Sequence, residues 1–133
     1  MGRYKKISKS KLKIILSKHE KWLCNEPDGE KANLKSADLE SANLESANLK
    51  YADLEYANLK YANLKSAILD FSYFPLWCGS FNIKTDDRLI MQLICHLTRL
   101  DTRNCSKTGK DAVKAVWKWR NKFCEYRTDV MKV

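Results

Sequence analysis

The chain has 133 residues, of which 44% are hydrophobic and 31% charged, with a formal net charge of +9. This length fits one domain with small additions, and the composition is unlike that of a disordered chain. No apolar run approaches the roughly 18 residues of a membrane span, so we expect no transmembrane protein. Five cysteines without a CxxC pair argue against a disulfide framework and a zinc site. We therefore expect a reducing, cytoplasmic setting.

The first predicted segment, residues 1–30, is basic, with 8 positive and 4 negative charges. Its apolar residues recur at helical spacing and predict an amphipathic capping helix, which Ser8 or Ser10 could begin. The apolar face consists of Leu12, Ile15, Leu16, His19, Trp22 and Leu23. Residues 27–29, Pro-Asp-Gly, then predict a turn.

The second segment, residues 31–74, repeats every five residues. From Ala32 to Leu69, leucine recurs at each fifth position, with alanine two places earlier and Asn or Asp between them in seven of eight repeats. Five residues turn about 500° on an α-helix and reverse the side-chain direction on a flat strand. Neither straight element would keep the leucines on one face, so the chain must bend once per repeat. We predict a coil with Ala and Leu inside, whose turns stack about 4.8 Å apart.

The charged position after each leucine indicates how many repeats complete one turn of the coil. With four repeats per turn, residues twenty apart stack, and all four charge pairs have opposite sign. These pairs are Lys35–Glu55, Glu40–Lys60, Glu45–Lys65 and Lys50–Asp70. With three repeats per turn most pairs would have like sign, which is unfavourable. The pattern therefore predicts a square coil, in which Tyr51 stacks on Phe71.

The run ANLKS ADLES ANLES ANLKY ADLEY ANLKY ANLKS AILDF resembles the pentapeptide-repeat family, whose motif is A(D/N)LXX. The resemblance implies a β-solenoid, a short right-handed quadrilateral β-helix of about two coils, here with an N-terminal helix and C-terminal helices as α caps. The flanking sequences LSKHEKWL and LWCGSFNIKTDDRLIMQLICHLTRLD resemble segments appended to pentapeptide-repeat proteins of phages and prophages. Gyrase-protecting members look like acidic DNA mimics, but residues 31–70 hold 5 positive and 6 negative charges, which disfavours DNA mimicry.

The third segment, residues 75–133, is basic and predicts two helices. Thr85 is the expected cap of the first helix, whose opening acids Asp86 and Asp87 suit the positive end of its dipole. The apolar stripe of this helix is Leu89, Ile90, Leu93, Ile94, Leu97 and Leu100.

A polar loop separates this helix from the last one. Thr108 with Asp111 resembles a capping box at the start of the last helix, and apolar residues at helical spacing extend it to Tyr126. Residues 71–84, before both helices, are aromatic-rich and predict an extended or irregular segment.

Two groups of residues are candidate binding sites. The first is a set of coil-surface aromatics, Tyr51, Tyr56 and Tyr61, which either bind a partner or lie under the helices. The second is a basic aromatic stretch comprising Arg99, Arg103, Lys107, Lys110, Lys114, Trp117, Lys118, Arg120 and Lys122. Its chemistry fits phosphate with base stacking, an acidic protein groove, or a solvated helix face.

Catalytic chemistry is not expected. His19 lies on an apolar helix face, and His96 and Cys95 are adjacent and point to different faces. No nucleotide-binding or metal motif is present in the sequence. We therefore expect no catalytic residue, no cofactor and no bound metal.

These patterns predict a non-enzymatic macromolecular binding protein, acting through protein–protein interaction. The family resemblance suggests an inhibitor or regulator of a nucleic-acid-handling bacterial enzyme, of the phage or prophage anti-defence type, such as an anti-CRISPR-like factor. Direct nucleic-acid binding through the basic aromatic helix is the alternative, and a homodimer stays open.

Overall fold

The structure, a computed structural model, describes residues 4–75 and 81–125, which fall into two compact units, Met1–Thr85 and Asp86–Val133. The first unit contains strand β1 (Lys5–Lys6), helix α1 (Lys9–Leu23) and strand β2 (Ala37–Asp38). The second contains helices α2 (Asp87–Leu97) and α3 (Lys107–Val116), then 3-10 helices at Trp117–Trp119 and Lys122–Glu125. The finer sequence-based division at residues 30 and 74 stays a prediction.

The repeats form a β-solenoid in which residues twenty apart pair in parallel. The bridges are Asn33–Asp53, Asp38–Asn58, Asn43–Asn63, Asn48–Ile68 and Asp53–Tyr73. Backbone hydrogen bonds accompany them, as where Leu44 N donates to Asn63 O at 2.9 Å. All eight repeat leucines are buried. The period of five therefore marks a chain that bends once per repeat and buries its leucines inside.

The Asn or Asp of each repeat stabilises the bend that follows it. Its Oδ1 accepts a hydrogen bond from the backbone N–H two residues later: Lys35 N donates to Asn33 Oδ1 at 3.2 Å, and Glu55 N donates to Asp53 Oδ1 at 2.9 Å. This side-chain turn is a local preference of Asn and Asp. The motif thus encodes the corner as well as the core.

The second residue after each leucine lies in the left-handed backbone region. The φ angles are between 56° and 64° at Ser36, Ser41, Ser46, Tyr51, Tyr56, Tyr61, Ser66 and Phe71. This conformation costs about 1–2 kcal/mol for a residue other than glycine, and bulky side chains adopt it rarely. The corner is therefore a fixed feature of the coil into which aromatic side chains have been placed.

The predicted charge stacking is only partly seen. Lys35 and Glu55 form an ion pair. The Glu40 carboxylate instead accepts a hydrogen bond from the Asn58 side-chain amide at 3.2 Å, and Glu45 similarly accepts from Asn63. Asn58 bridges to Asp38 and Asn63 to Asn43, so each amide lies near the acid two residues further along the chain.

Helix α1 begins where the sequence indicated, because Ser8 caps it by accepting a hydrogen bond from Lys11 N at 3.2 Å. The chain before α1 also pairs with the solenoid. Lys5 lies opposite Ala37 in the parallel β1–β2 pair, and Lys5 N donates to Ser36 O at 2.8 Å. Residues ahead of the repeats thus add a short strand to the first turn of the coil.

Gly29 allows the chain to pass close to the end of α1. A Cβ at this position would lie 2.5 Å from the backbone nitrogen of Trp22 and 2.6 Å from its Cα. We expect Gly29→Ala to lower the free energy of unfolding by about 1–3 kcal/mol, as overpacking against backbone does. Urea denaturation measures this loss, and Gly109→Ala, whose Cβ would meet only the Cys105 side chain, is the milder comparison. Equal losses in the two variants would contradict the steric argument.

The solenoid pairing continues past the last repeat. Tyr73 bridges to Asp53, and Lys84 bridges to Asn63, a separation of 21 rather than twenty. The extended or irregular segment predicted for residues 71–84 is seen as bridges at Tyr73 and Lys84 together with left-handed residues at Phe71 and Asn82, and residues 76–80 lie outside the described part. Backbone hydrogen bonds hold this stretch against the coil. Because such bonds do not require particular side chains, the repeat pattern does not predict this pairing.

The helices of the second unit begin and end differently from the prediction. Asp86, not Thr85, caps α2, because its carboxylate accepts from Leu89 N at 3.0 Å. Ser106, not Thr108, caps α3 by accepting from Gly109 N. In both cases the polar residue directly before the first residue of the helix has the extended backbone that a cap requires.

The last helix is shorter than predicted. α3 ends at Val116 and passes into 3-10 helices, and the Trp117 carbonyl accepts from both the backbone N–H and the guanidinium of Arg120. These bonds close a turn of three residues in place of a helical turn of four. The predicted end at Tyr126 lies outside the described residues.

The apolar stripe predicted on α2 is largely exposed. Leu89 and Cys95 are buried, while the residues left exposed are Ile90, Leu93, Leu97 and Leu100. The buried side of α2 packs on the two 3-10 helices. These short elements cover only part of the predicted apolar stripe.

Candidate functional site

A column of stacked aromatic rings joins α1 to the solenoid. His19 stacks on Trp22 at 5.6 Å between ring centroids, and Trp22 meets Tyr51 edge-on at 6.3 Å. Tyr51 in turn stacks on Phe71 of the next turn at 5.1 Å with 12° between the planes. The predicted stacking of Tyr51 on Phe71 is therefore confirmed.

Lysine ammonium groups lie against the solenoid tyrosines. Lys35 Nζ is 5.9 Å from the Tyr56 ring centroid, and Lys60 Nζ is 5.2 Å from that of Tyr61. Lys50 lies against both Tyr51 and Phe71, and Lys31 against Tyr73. These distances fit cation–π contacts. We call this set the aromatic–lysine surface: Tyr51, Tyr56, Tyr61, Phe71 and Tyr73 with Lys31, Lys35, Lys50 and Lys60.

Most of these rings are open to solvent. Tyr56 is 60% exposed and Phe71 73% exposed, whereas Tyr51, which touches α1, is 39% exposed. The sequence pointed to Tyr51, Tyr56 and Tyr61 but missed Tyr73 and the lysines. The signal for two of the lysines was present, because Lys50 and Lys60 directly precede a tyrosine. The contacts of Lys35 with Tyr56 and of Lys31 with Tyr73 join residues of different turns, so only the folded coil reveals them.

The structure sorts the predicted basic residues of the second unit into two groups. Local carboxylates pair with Arg103, Lys107 and Lys122, namely those of Asp101, Asp111 and Glu125. The Arg103 guanidinium lowers the pKa of the Asp101 carboxyl below its ordinary value, and the Asp101 carboxylate raises the pKa of Arg103. These three cations are therefore partly neutralised where they stand.

The remaining basic residues lie beside exposed tryptophans or carry no ion pair. Lys110, Lys114 and Lys118 form no ion pair within residues 4–75 and 81–125. Lys118 lies 5.1 Å from the Trp119 ring, and the Arg120 guanidinium lies 4.9 Å from that of Trp117. Both tryptophans are exposed, and Arg99 instead donates to the Cys95 sulfur. Three lysines without an ion pair among the described residues, and two indole rings each in contact with a cation, thus lie on α3 and the 3-10 helix that follows it.

His19 is fully buried where α1 meets the first turn of the solenoid. Its Nδ1 accepts a hydrogen bond from Ala32 N at 3.0 Å, so this nitrogen carries no proton. Burial lowers the pKa of His19 from its ordinary value of 6.5, the nearby Lys50 carbonyl partly offsets this, and the positive charge of Lys31 lowers it further. The neutral imidazole therefore acts as a structural acceptor.

Residues 4–75 and 81–125 contain no helix long and apolar enough to cross a membrane. The same residues contain no group of three or more His, Cys, Asp or Glu side chains placed to hold a metal ion.

Comparison with known proteins gives one match. The family model described as Pentapeptide repeats matches residues 31–72 in eight copies. Comparisons with curated proteins and with solved structures find no match for the chain. The matched range contains all eight corners and all eight buried repeat leucines. Residues 31–72 therefore carry eight pentapeptide repeats.

Proposed function

We propose that this protein is a non-enzymatic protein-interaction module that docks on its partner through the aromatic–lysine surface. Pentapeptide-repeat proteins are typically protein-interaction modules, which supports the class of function. In this proposal the solenoid is a right-handed quadrilateral of about two coils with α1 as its N-terminal cap. The bridges at a separation of twenty and the contacts of His19 and Lys5 with the first turn support that arrangement.

The observation that carries the proposal is an aromatic side chain at a strained corner. Tyr56 and Tyr61 have φ of 56° and 59°, as do Ser41 and Ser46 at the equivalent corners within a few degrees. The coil therefore needs the backbone conformation but not the ring. An exposed tyrosine in a conformation that disfavours large side chains suggests a role outside folding. Exposed tyrosine is also enriched among residues that dominate binding energies.

The partner class follows from charge and from the resemblance of the flanks. The protein is basic, and Lys31, Lys50 and Lys60 of the aromatic–lysine surface add cations beside its rings, while Lys35 is paired with Glu55, so an acidic protein surface fits it. We extend the proposal to an inhibitor or regulator of a nucleic-acid-handling bacterial enzyme, of the phage or prophage anti-defence type. A reducing, cytoplasmic site of action is part of the proposal, and the free thiols of Cys24, Cys95 and Cys105 support it.

Asparagine at the corners separates binding from stability. Asn tolerates the left-handed region, so Tyr56→Asn and Tyr61→Asn should leave the free energy of unfolding unchanged or raise it by up to about 1 kcal/mol. Each should weaken partner binding by about tenfold or more, as loss of an aromatic anchor does. The measurements are urea denaturation and capture of protein partners from a nuclease-treated bacterial lysate.

The matched control is Ser36→Asn, which places asparagine at an equivalent left-handed corner that carries no ring. It should keep partner capture at the wild-type level. Failure of the wild-type protein to capture any stable partner would reject the interaction proposal. If the tyrosine variants capture partners as well as the wild type does, the docking surface lies elsewhere on the protein.

Direct nucleic-acid binding is the second candidate, and the exposed Trp117 and Trp119 beside Arg120 and Lys118 favour it. Bases stack on such rings while unpaired lysines contact phosphate. In a gel shift with single-stranded DNA, binding should weaken steeply as salt rises. Replacing Lys110, Lys114 and Lys118 with Gln should reduce the slope of log K against log salt by about 2, near 0.7 per contact.

The control replaces the same number of cations that already have carboxylate partners, namely Arg103, Lys107 and Lys122. Both triple variants lower the net charge equally, so a difference between them reports phosphate contact and not overall attraction. Equal slopes in the two variants, or binding that does not change with salt, would reject this candidate.

A further inference from the structure

Four apolar side chains lie exposed along one side of α2 and the turn that follows it. We call this row the α2 seam, and its members, each at least 40% exposed, are Ile90, Leu93, Leu97 and Leu100. The helical turn continues as far as Leu100, because Leu100 N donates to the Leu97 carbonyl at 3.3 Å. Single exposed apolar residues are ordinary on a protein surface, but a row of four neighbours indicates a contact surface.

The spacing of the α2 seam indicates a second helix as its partner. Steps of three, four and three residues bring all four side chains to one side of a helix. This is the pattern with which two helices insert their side chains between each other's. The buried residues of α2 are Leu89, Gln92 and Cys95, which lie on the other side of the helix. The seam is therefore the side of α2 that faces solvent.

The spacing of the α2 seam is also the same when it is read from the opposite end. An antiparallel second copy of α2 therefore brings Ile90 against Leu100 and Leu93 against Leu97 of the other copy. Both copies then use the identical patch, which is what a two-fold dimer requires. The chain itself carries the surface that complements its seam.

Charges at the two ends of the α2 seam favour this antiparallel direction. The second unit begins with two acids and one base, Asp86, Asp87 and Arg88, a net charge of −1. The other end of the seam has two bases and one acid, Arg99, Asp101 and Arg103, a net charge of +1. Antiparallel packing brings each end beside the opposite charge, whereas parallel packing would bring equal charges together. The helix dipoles have the same preference, because an antiparallel neighbour places an N-terminus beside a C-terminus.

The length of the α2 seam sets the expected strength of the contact. From Ile90 to Leu100 a helix rises about 15 Å, at about 1.5 Å per residue. Four side chains on each copy bury less surface than the roughly 1,200–2,000 Å² of stable interfaces. We therefore expect a weak and reversible dimer, with a Kd between about 10 μM and 1 mM.

We propose that two copies of this chain form a two-fold dimer in which α2 of one copy packs antiparallel on α2 of the other through the α2 seam. This inference goes beyond the proposed function, because the aromatic–lysine surface belongs to the first unit and takes no part in the contact. A dimer carries that surface twice and so binds a partner with two matching sites more tightly. Tyr56→Asn should leave the dimer unchanged, so each proposal can fail without the other.

Sedimentation equilibrium of the full chain from about 10 μM to 1 mM tests the dimer. A reducing agent is present, because Cys24 and Cys105 are exposed thiols. The apparent mass should rise toward that of two chains as the concentration increases. Leu93→Gln together with Leu97→Gln should raise the Kd by about tenfold or more, because both apolar contacts at the centre of the seam are lost. The control is Ile14→Gln, which removes an exposed apolar side chain from α1 and should keep the wild-type Kd.

An exchange of charge tests the antiparallel direction. Asp87→Arg alone and Arg103→Asp alone should each raise the Kd by about twofold to fivefold. The two substitutions together should restore a Kd near that of the wild type, because the end that carries residue 87 lies beside the end of the other copy that carries residue 103. A parallel dimer would show no such restoration.

Three results would overturn the proposal. The first is a wild-type chain that stays monomeric at about 1 mM, and the second is a dimer that persists in the Leu93 and Leu97 double variant. The third is a double variant that unfolds at a lower urea concentration than the wild type at about 1 μM protein, where no dimer forms, since the seam would then be covered within the chain. A charge exchange that fails to restore the Kd would reject the antiparallel packing.

Discussion

Leu54→Ala is expected to lower the free energy of unfolding by about 3–5 kcal/mol, the largest stability effect predicted for any single substitution here. Leu54 is completely buried and belongs to the column of leucines that fills the coil. Truncation removes apolar surface from the core and leaves a cavity, because backbone hydrogen bonds to the neighbouring turns prevent the walls from closing. Such a loss is a large fraction of the 5–15 kcal/mol typical of domains.

Urea denaturation followed by far-UV circular dichroism measures this loss. Ile14→Ala is the control, since Ile14 is 58% exposed on α1 and should change stability by no more than about 0.5 kcal/mol. A loss below about 1 kcal/mol for Leu54→Ala would mean that the leucines are not the core, and the solenoid would then be wrong.

Acidification is expected to destabilise the protein through His19. Because the folded state holds the imidazole neutral and lowers its pKa, the unfolded chain binds more protons as the pH falls below 6.5. The stability that neutral His19 contributes is therefore complete above pH 6.5 and is lost as the pH falls toward the lowered pKa. Protonation would also remove the acceptor for Ala32 N and leave a buried N–H without a partner.

The free energy of unfolding measured at steps from pH 7.5 to pH 5 tests this prediction. His19→Gln keeps a side-chain acceptor but does not titrate, so its stability should fall less over this range than that of the wild type. His96→Gln replaces the other histidine, which is exposed on α2, and should retain the wild-type dependence. If His19→Gln and the wild type lose stability in parallel, another group is responsible.

The repeat region could be predicted in detail because its information is local and redundant. A leucine every fifth residue fixes the bend, and the Asn or Asp before it supplies the hydrogen bond that holds the corner. Because eight copies carry the same pattern, a separation of twenty residues along the chain was enough to predict that Tyr51 stacks on Phe71. The left-handed backbone conformation of the corners was not predicted, because Ser, Tyr and Phe are not residue types that indicate this conformation.

The second unit was predicted less well because competing local signals decide its ends. Thr85 and Asp86 are both good caps, and only the actual backbone selects Asp86. Helical spacing continued past Val116, but the bonds of Arg120 to the Trp117 carbonyl end α3 there. Spacing identifies an apolar face without saying whether anything covers it, and Leu93 and Leu97 of the predicted stripe are exposed.

The sequence by itself determined the bending period and the buried leucine of each repeat, because both depend on neighbours within one repeat, and the signs of the charges in successive repeats indicated the separation of twenty. Only the tertiary structure decided which lysine lies on which ring and that β1 and His19 contact the first turn of the solenoid. Those features join residues far apart in the chain, and their energies depend on distances that no local pattern encodes.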